Sequence, residues 1–176
     1  MKIIDGLLAE LEQEAQTTRR VLERIPQAHL SWKPHPKSMS LGQLALHVAT
    51  VPGNVAELAA LDTVPEPPAF VQPEAATASE LVPSLADSVA KAKQLLGGFD
   101  DASMAALWRL QSGGKDIMTM PRSALVRAVM LNHWYHHRGQ LLVYLRLLNL
   151  PVPSVYGPSA DENPFAAAVS EIAAVS

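Results

Sequence analysis

Histidines at helical spacing are the side chains of this sequence best suited to chemistry. His133 and His137 are four residues apart in HWYHHRGQ, which spans residues 133–140. On a helix this spacing directs both imidazoles to one face about one turn apart, which is how a helix offers two nitrogens to one metal ion. His136 lies three residues after His133, so the spacing alone does not exclude it from the pair.

A third candidate ligand lies far upstream, in the segment SLGQLALHVAT. There His47 shares one face of a predicted helix with Leu44 and Val51. A single histidine on an apolar face is most often a core residue that has hydrogen-bond partners, because burying an unpaired polar group is costly. His47 and the downstream pair can meet at one metal ion only if their two helices are neighbours.

The composition limits the classes of protein to consider. The chain has 176 residues, 48% of them hydrophobic, a formal net charge of −3 and no cysteine. This length predicts one domain over residues 1–176 with a sizeable core. Lys and Arg form no dense patch for nucleic acid. Without cysteine there are no disulfides or protein thiolate ligands, so any thiol has to arrive with a substrate or cofactor.

No segment has the pattern of a signal peptide or a membrane span. The N-terminus becomes acidic before an apolar core develops, and the longest late apolar run is interrupted by Arg146. That run is also too short to cross a bilayer. We therefore expect no membrane partner, and a soluble protein with a cytoplasmic location.

Apolar periodicity and capping signals predict four long helices, which together indicate an all-α bundle. The predicted helices cover about residues 3–24, 41–61, 78–96 and 121–148. Ser40 and Gln43 match a capping box at the start of the second helix. Pro52, followed by glycine, is expected to kink or loosen that helix.

The connections between these helices are of two kinds. Residues 62–76 are rich in proline, which predicts an extended crossover at the surface. Residues 100–120 are irregular, and two short apolar runs on either side of Ser-Gly-Gly-Lys predict a hairpin. Asn163 and the proline after it indicate the start of a short last helix through Val175.

Three segments together resemble the DinB-like (YfiT-like) superfamily of metal-dependent proteins. They are SMSLGQLALHVA, LNHWYHHRGQLLVYLR and LPVPSVYGPSADE, and the similarity covers about residues 7–162. The resemblance implies an up-down-down-up four-helix bundle with one long crossover, in which three histidines bind one divalent metal ion. Matched position by position, the ligands are His47, His133 and His137. The family's last ligand directly precedes Arg-Gly-Gln, which selects His137 over His136.

Metal-binding histidines usually need a hydrogen-bond partner on the ring nitrogen that does not face the metal. Gln43, one turn before His47, is a candidate for this role, and so is Gln140. His136 is either such an orienting group or a surface residue.

Other polar residues near these motifs are candidates for a role at the site, and most of them also have a structural interpretation. Arg138 either binds an anionic substrate or, as is commoner, ties one helix to another. Tyr156 is a candidate to cover the mouth of the site. Asp161 and Glu162 are either general bases or, more often for such residues, loop and capping groups. The sequence does not assign a catalytic residue.

Three neutral imidazoles leave the charge of a metal ion undiminished and at least one coordination position open. The resemblance implies a metal-dependent enzyme acting on a small molecule. Its reaction would be that of a hydrolase, or of a transferase or isomerase that uses a low-molecular-weight thiol as cofactor. The alternatives are a non-catalytic metal-binding protein of the stress response (damage-inducible) and a bundle whose histidines are merely hydrogen-bonded. Zinc, nickel and iron are not distinguished. The resemblance also implies a homodimer.

Overall fold

The structure is a computed structural model that describes residues 1–69 and 71–166. It is mostly helical, and its helices are α1 (Ile3–Leu22), α2 (Leu41–Ala60), α3 (Leu81–Leu96), α4 (Asp101–Ala105), α5 (Arg122–Leu125) and α6 (His133–Leu147). Short 3-10 turns cover Gln27–His29 and Ala78–Glu80. Most of the last helix predicted from the sequence, through Val175, lies outside the described residues, and the single-domain assignment over residues 1–176 stays a prediction.

The long helices pack against one another around one apolar core. Helix α2 contacts α3 and α6, and α1 contacts the same two helices. The core between them includes Leu11, Leu44, Val48, Leu141 and Leu145, each fully or almost fully buried. The neighbouring positions of α2 and α6 meet the condition for their histidines to share a site. The up-down-down-up order of the helices stays a prediction.

The protein is mostly helical, as predicted, but a small sheet means that it is not purely all-α. Its strands are β1 (Thr63–Val64), β2 (Leu107–Ser112) and β3 (Lys115–Pro121), in the order β1-β2-β3. Strands β2 and β3 form the predicted antiparallel hairpin. Its two-residue turn has Gly113 at φ 58° and Gly114 at φ 74°. Both central residues of a type I′ turn need a positive φ, which glycine adopts without strain.

Strand β1 lies within the connection that was predicted to be a plain extended crossover. It pairs in parallel with β2, matching Thr63 to Arg109 and Val64 to Leu110. Two residues are too few to produce a periodic signal, and their partners lie more than forty residues away. The pairing depends on tertiary contacts, which is why local sequence did not indicate it.

Helix α2 runs through Pro52 without a break. Proline has no N–H, so it leaves the carbonyl of Val48, four residues earlier, without its usual helical donor. The indole nitrogen of Trp134 donates to that carbonyl at 2.7 Å, in the buried interior. The proline that was expected to weaken α2 therefore creates an acceptor that joins α2 to α6.

The final helical stretch is less regular than predicted. Pro121 ends β3 and α5 begins after it, and residues Val126–Asn132 between α5 and α6 form a π-helical segment. The most buried side chains of α6 are Trp134, Arg138, Leu141 and Leu145. The ligand histidines were expected to point with the core residues, but they lie one position beside this row and are only half-buried.

Candidate metal centre

Two elements bring the three predicted ligands together. His47 comes from α2, while His133 begins α6 and His137 follows one turn later. One nitrogen of each ring lies within 4.8 Å of the other two. The Nε2 atoms of His47 and His133 are 3.3 Å apart. The ring of His137 has its centre 4.5 Å from the centre of each of the other two rings.

This arrangement fits one metal ion. Tetrahedral zinc binds imidazole nitrogen at about 2.0–2.1 Å, which places two ligand nitrogens about 3.4 Å apart. The 3.3 Å separation of the Nε2 atoms of His47 and His133 agrees with that value. The group consists of three nitrogen donors without a carboxylate or thiolate. The residues present can therefore hold a divalent ion.

A hydrogen bond on the outer side orients the ring of His137. Nδ1 of His137 lies 2.8 Å from Oε1 of Gln140, an amide oxygen that can only accept. The proton of this ring is therefore on Nδ1, so the lone pair of Nε2 can bind a metal ion. The backbone of Val129, in the π-helical segment, opposes the lowering of the pKa of His133 by burial. Gln140 is one of the residues that the sequence indicated for the orienting role.

The other two candidates for an orienting role lie in different surroundings. Oε1 of Gln43 accepts from the N–H of Ser40 at 2.8 Å, which completes the predicted capping box. Nε2 of Gln43 donates to the carbonyl of Gln72 at 3.1 Å and so ties the crossover to α2. His136 is exposed, with its ring centre 5.0 Å from that of His137. For both residues the orienting role stays a prediction.

Burial keeps the three imidazoles neutral. It lowers the pKa of His47 to about 4, and the positive charges that His137 and His133 would carry act in the same direction. Burial also lowers the pKa of His133 and that of His137. Only an unprotonated imidazole nitrogen can bind a metal ion. At neutral pH the group is therefore in the protonation state that metal binding requires.

The histidines open into a cavity of about 400 Å³ between α2, the π-helical segment and the crossover. Asn54, Val55 and Leu58 of α2 line one side, and residues 68–69 and 71–72 of the crossover line another. Small-molecule sites commonly have volumes of about 300–1,000 Å³. The cavity, which we call the histidine chamber, has room for a small ligand beside the three nitrogens.

Arg138 points away from the histidine chamber. Its side chain is 1% exposed, and its Nη2 lies 2.6 Å from a carboxylate oxygen of Glu14 and donates to the hydroxyl of Tyr156. Its Nη1 donates to the hydroxyl of Thr18. Arg138 thus ties α6 to α1, the commoner of the two readings. Sequence analysis missed Glu14, because no local pattern links positions 124 residues apart.

The segment after α6, residues 150–162, runs over α1 and α6. We call it the C-terminal segment. Tyr156 contacts Arg138 and lines a separate cavity beside it, not the histidine chamber. Asp161 pairs with Arg146 of α6, and Glu162 pairs with Arg20 of α1. These two carboxylates therefore hold the segment in place.

The sequence is similar to known proteins over most of its length. The family model described as "DinB family" matches residues 2–165. The chain is 27% identical over 163 residues to the uncharacterized protein YrdA of Bacillus subtilis (strain 168), covering 90% of this chain and 91% of that protein. Within residues 1–69 and 71–166, no helix has the length and apolar character needed to cross a membrane.

Solved structures share the fold. A DinB-like protein from Bacillus cereus ATCC 10987 superposes with a TM-score of 0.68 at 24% identity, over 87% of this chain and 97% of the other. The DinB-like protein YjoA from Bacillus subtilis gives 0.66 at 22% identity, over 85% and 97%. Since the family model covers nearly the whole sequence, the chain belongs to the DinB family.

Proposed function

We propose that this protein is a metal-dependent enzyme in which His47, His133 and His137 bind one divalent ion and leave at least one coordination position open to a small-molecule substrate. The observation that carries the proposal is the position of the three ligand nitrogens at the wall of the histidine chamber. A purely structural metal site is normally closed by a fourth protein ligand. Within the part of the chain that is described, the group that can hold an ion consists of these three residues.

The reaction class we propose is a transferase or isomerase reaction that uses a low-molecular-weight thiol, or a hydrolysis. A bound divalent ion supplies Lewis acidity, which polarises a substrate group and favours the deprotonated form of a thiol or water. The chain has no cysteine, so the thiol would belong to a cofactor or substrate. The hydrogen bond between Nδ1 of His137 and Oε1 of Gln140 holds that ring and keeps its Nε2 in place.

Several finer statements belong to the same proposal. The helices form an up-down-down-up four-helix bundle, the protein is a cytoplasmic homodimer, and it binds neither nucleic acid nor membranes. The molar mass in solution, measured by light scattering after size exclusion, tests the dimer. A mass of one chain at all concentrations would contradict it.

Metal content is the first test of the proposed site. Protein purified without a histidine tag is expected to contain, or take up, about one equivalent of zinc, nickel or iron per chain, measured by mass spectrometry of the elements. His137→Ala is expected to lose it. His29→Ala, which changes an exposed histidine outside the group, is the matched control and keeps the metal. A wild-type protein that neither contains nor takes up metal would leave the histidines as a hydrogen-bonded cluster.

An open coordination position is the second test, because it separates an enzyme from a non-catalytic metal-binding protein. The cobalt-loaded protein is titrated with azide, a small anion that binds metal ions. A change in the visible spectrum that saturates is expected where a position is open. An unchanged spectrum would mean that the protein closes the coordination sphere, which is the stress-response alternative.

A further inference from the structure

The walls of the histidine chamber are mainly apolar. Met39 lies near the start of α2, Val55 and Leu58 come from α2, Val71 from the crossover and Val129 from the π-helical segment. No Asp, Glu, Lys or Arg belongs to the described lining. Apart from the imidazoles, the polar side chains in the lining are the amides of Asn54 and Gln72. The chamber therefore offers apolar contact along its sides and metal-binding nitrogens at one wall.

The missing charges limit what the chamber can bind. Moving an ionised group out of water costs much free energy unless an opposite charge lies next to it. The cavity beside Arg138 differs in this respect, since a guanidinium is part of its lining. A polyanionic ligand, such as a phosphorylated one, has no partner in the histidine chamber once its metal-binding atom is placed.

Asn54 gives the chamber a polar side chain at its exposed side. It lies seven residues after His47 on α2 and therefore on the same helix face, two turns away. Two turns of helix correspond to about 11 Å along the axis. An amide both donates and accepts, so it suits a carbonyl or hydroxyl group of a ligand.

We propose that the histidine chamber takes an uncharged, mainly apolar small molecule, which presents one soft donor atom, such as a thiol sulfur, to the three histidines and its apolar body to Val55, Leu58 and Val71. This inference deepens the proposed function and rests on its metal site. The crossover acts as the specificity element. It is held to α2 by the hydrogen bond from Gln43 to the carbonyl of Gln72 and by that from Ser40 to Glu74.

The test compares two thiols that differ by one charge. The cobalt-loaded protein is titrated with benzyl mercaptan and with 4-(mercaptomethyl)benzoate, and the sulfur-to-cobalt absorption gives the dissociation constant of each. Benzyl mercaptan is expected to bind about tenfold more tightly or better, since the carboxylate of the second thiol meets no cationic side chain in the described lining. Equal binding, or tighter binding of the carboxylate, would overturn the inference.

A variant in the crossover tests which wall selects the ligand. Val71 is 72% exposed, so Val71→Lys should not disturb the core. It is expected to improve binding of the carboxylate thiol several-fold and to leave the cobalt content unchanged. If the two dissociation constants keep their wild-type ratio, the crossover does not select the ligand.

The cobalt content of each sample separates the possible failures. A protein that binds no cobalt contradicts the proposed metal site and this inference with it. A protein that binds cobalt but develops no sulfur-to-cobalt absorption with either thiol contradicts the open position. A protein that binds both thiols equally contradicts only the assignment of an apolar ligand.

Discussion

The direction of the His137 ring depends on a neighbouring amide. Oε1 of Gln140 accepts from Nδ1 of His137 at 2.8 Å. Replacing Gln140 with methionine keeps the size of the side chain but removes this acceptor. We expect Gln140→Met to lower metal affinity about 10–100-fold, as is usual when such a partner is lost. Competition with a chromophoric chelator measures it. Gln13→Met, on an exposed position of α1, is the matched control, and an equal loss there would contradict the role of Gln140.

The pKa of His47 predicts how the metal-free protein responds to acid. Burial lowers this pKa from 6.5 to about 4. Between these values the unfolded chain binds a proton that the folded protein does not, so stability is lost as the pH falls from about 6.5 toward 4. The pKa values of His133 and His137 are also lowered, and they act in the same direction.

Thermal unfolding at a series of pH values checks this expectation. The melting temperature of the metal-free protein should fall across the interval, and His47→Leu, which cannot titrate there, should show a shallower fall. A steeper fall in the variant, or a melting temperature that rises on acidification, would mean that the histidines are charged in the folded state.

At this scale the sequence was most informative about the ligands themselves. The motif before Arg-Gly-Gln selected His137, and the structure brings it together with His47 and His133. Gln140 could be predicted as a partner because a residue three positions later on a helix lies beside His137. The ion pair of Arg138 with Glu14 joins distant parts of the chain and has no local signature.

The junction between α2 and α6 depends on a proline and a tryptophan next to the ligands. The carbonyl of Val48, without a donor at Pro52, accepts from the indole of Trp134 at 2.7 Å. Val48 follows His47 and Trp134 follows His133. This hydrogen bond therefore fixes how α2 and α6 lie against each other at the site.

Trp134→Phe removes that donor and leaves the Val48 carbonyl buried without its partner. We expect a loss of about 1–3 kcal/mol in the free energy of unfolding, together with weaker metal binding. Denaturant titration and chelator competition measure the two effects. Trp108→Phe is the control, because it also removes an indole donor, here to the carbonyl of Leu58. That carbonyl still accepts from the N–H of Leu61. That variant should lose less stability and bind metal normally, and identical behaviour of the two variants would contradict the argument.

The elements that the sequence predicted well are those with a local signal, which is apolar periodicity for the helices and the turn residues for the hairpin. Three long helices and the hairpin lie close to their predicted bounds. The π-helical segment Val126–Asn132 was missed because one inserted residue changes the face of a helix without changing its composition. This shift is why the ligands lie beside the buried row that includes Trp134 and Leu141.

A buried ion pair holds α1, α6 and the C-terminal segment together. Arg138 is 1% exposed and Glu14 8% exposed, and both contact the hydroxyl of Tyr156. Glu14→Gln leaves the guanidinium buried without its opposite charge, which we expect to cost about 3–5 kcal/mol of unfolding free energy. Glu23→Gln breaks a pair with Arg19 that is largely exposed to water, and should cost less than about 1 kcal/mol. Similar losses in the two variants, measured by denaturant titration, would contradict this reading.

Metal binding should stabilise the whole molecule, because the three ligands come from two helices that are far apart in sequence and meet only in the folded chain. A ligand that binds only the native state raises stability by about 2.7 kcal/mol when its free concentration is 100 times its dissociation constant. We therefore expect added zinc to raise the melting temperature of the metal-free protein, and a chelator to reverse the effect. His137→Ala should show no such rise, while His29→Ala should behave like the wild type. If excess zinc leaves the wild-type transition unchanged, the protein binds no zinc at this site. The 3.3 Å contact between His47 and His133 is then a hydrogen bond between two histidines, and no metal ion binds a substrate in the chamber.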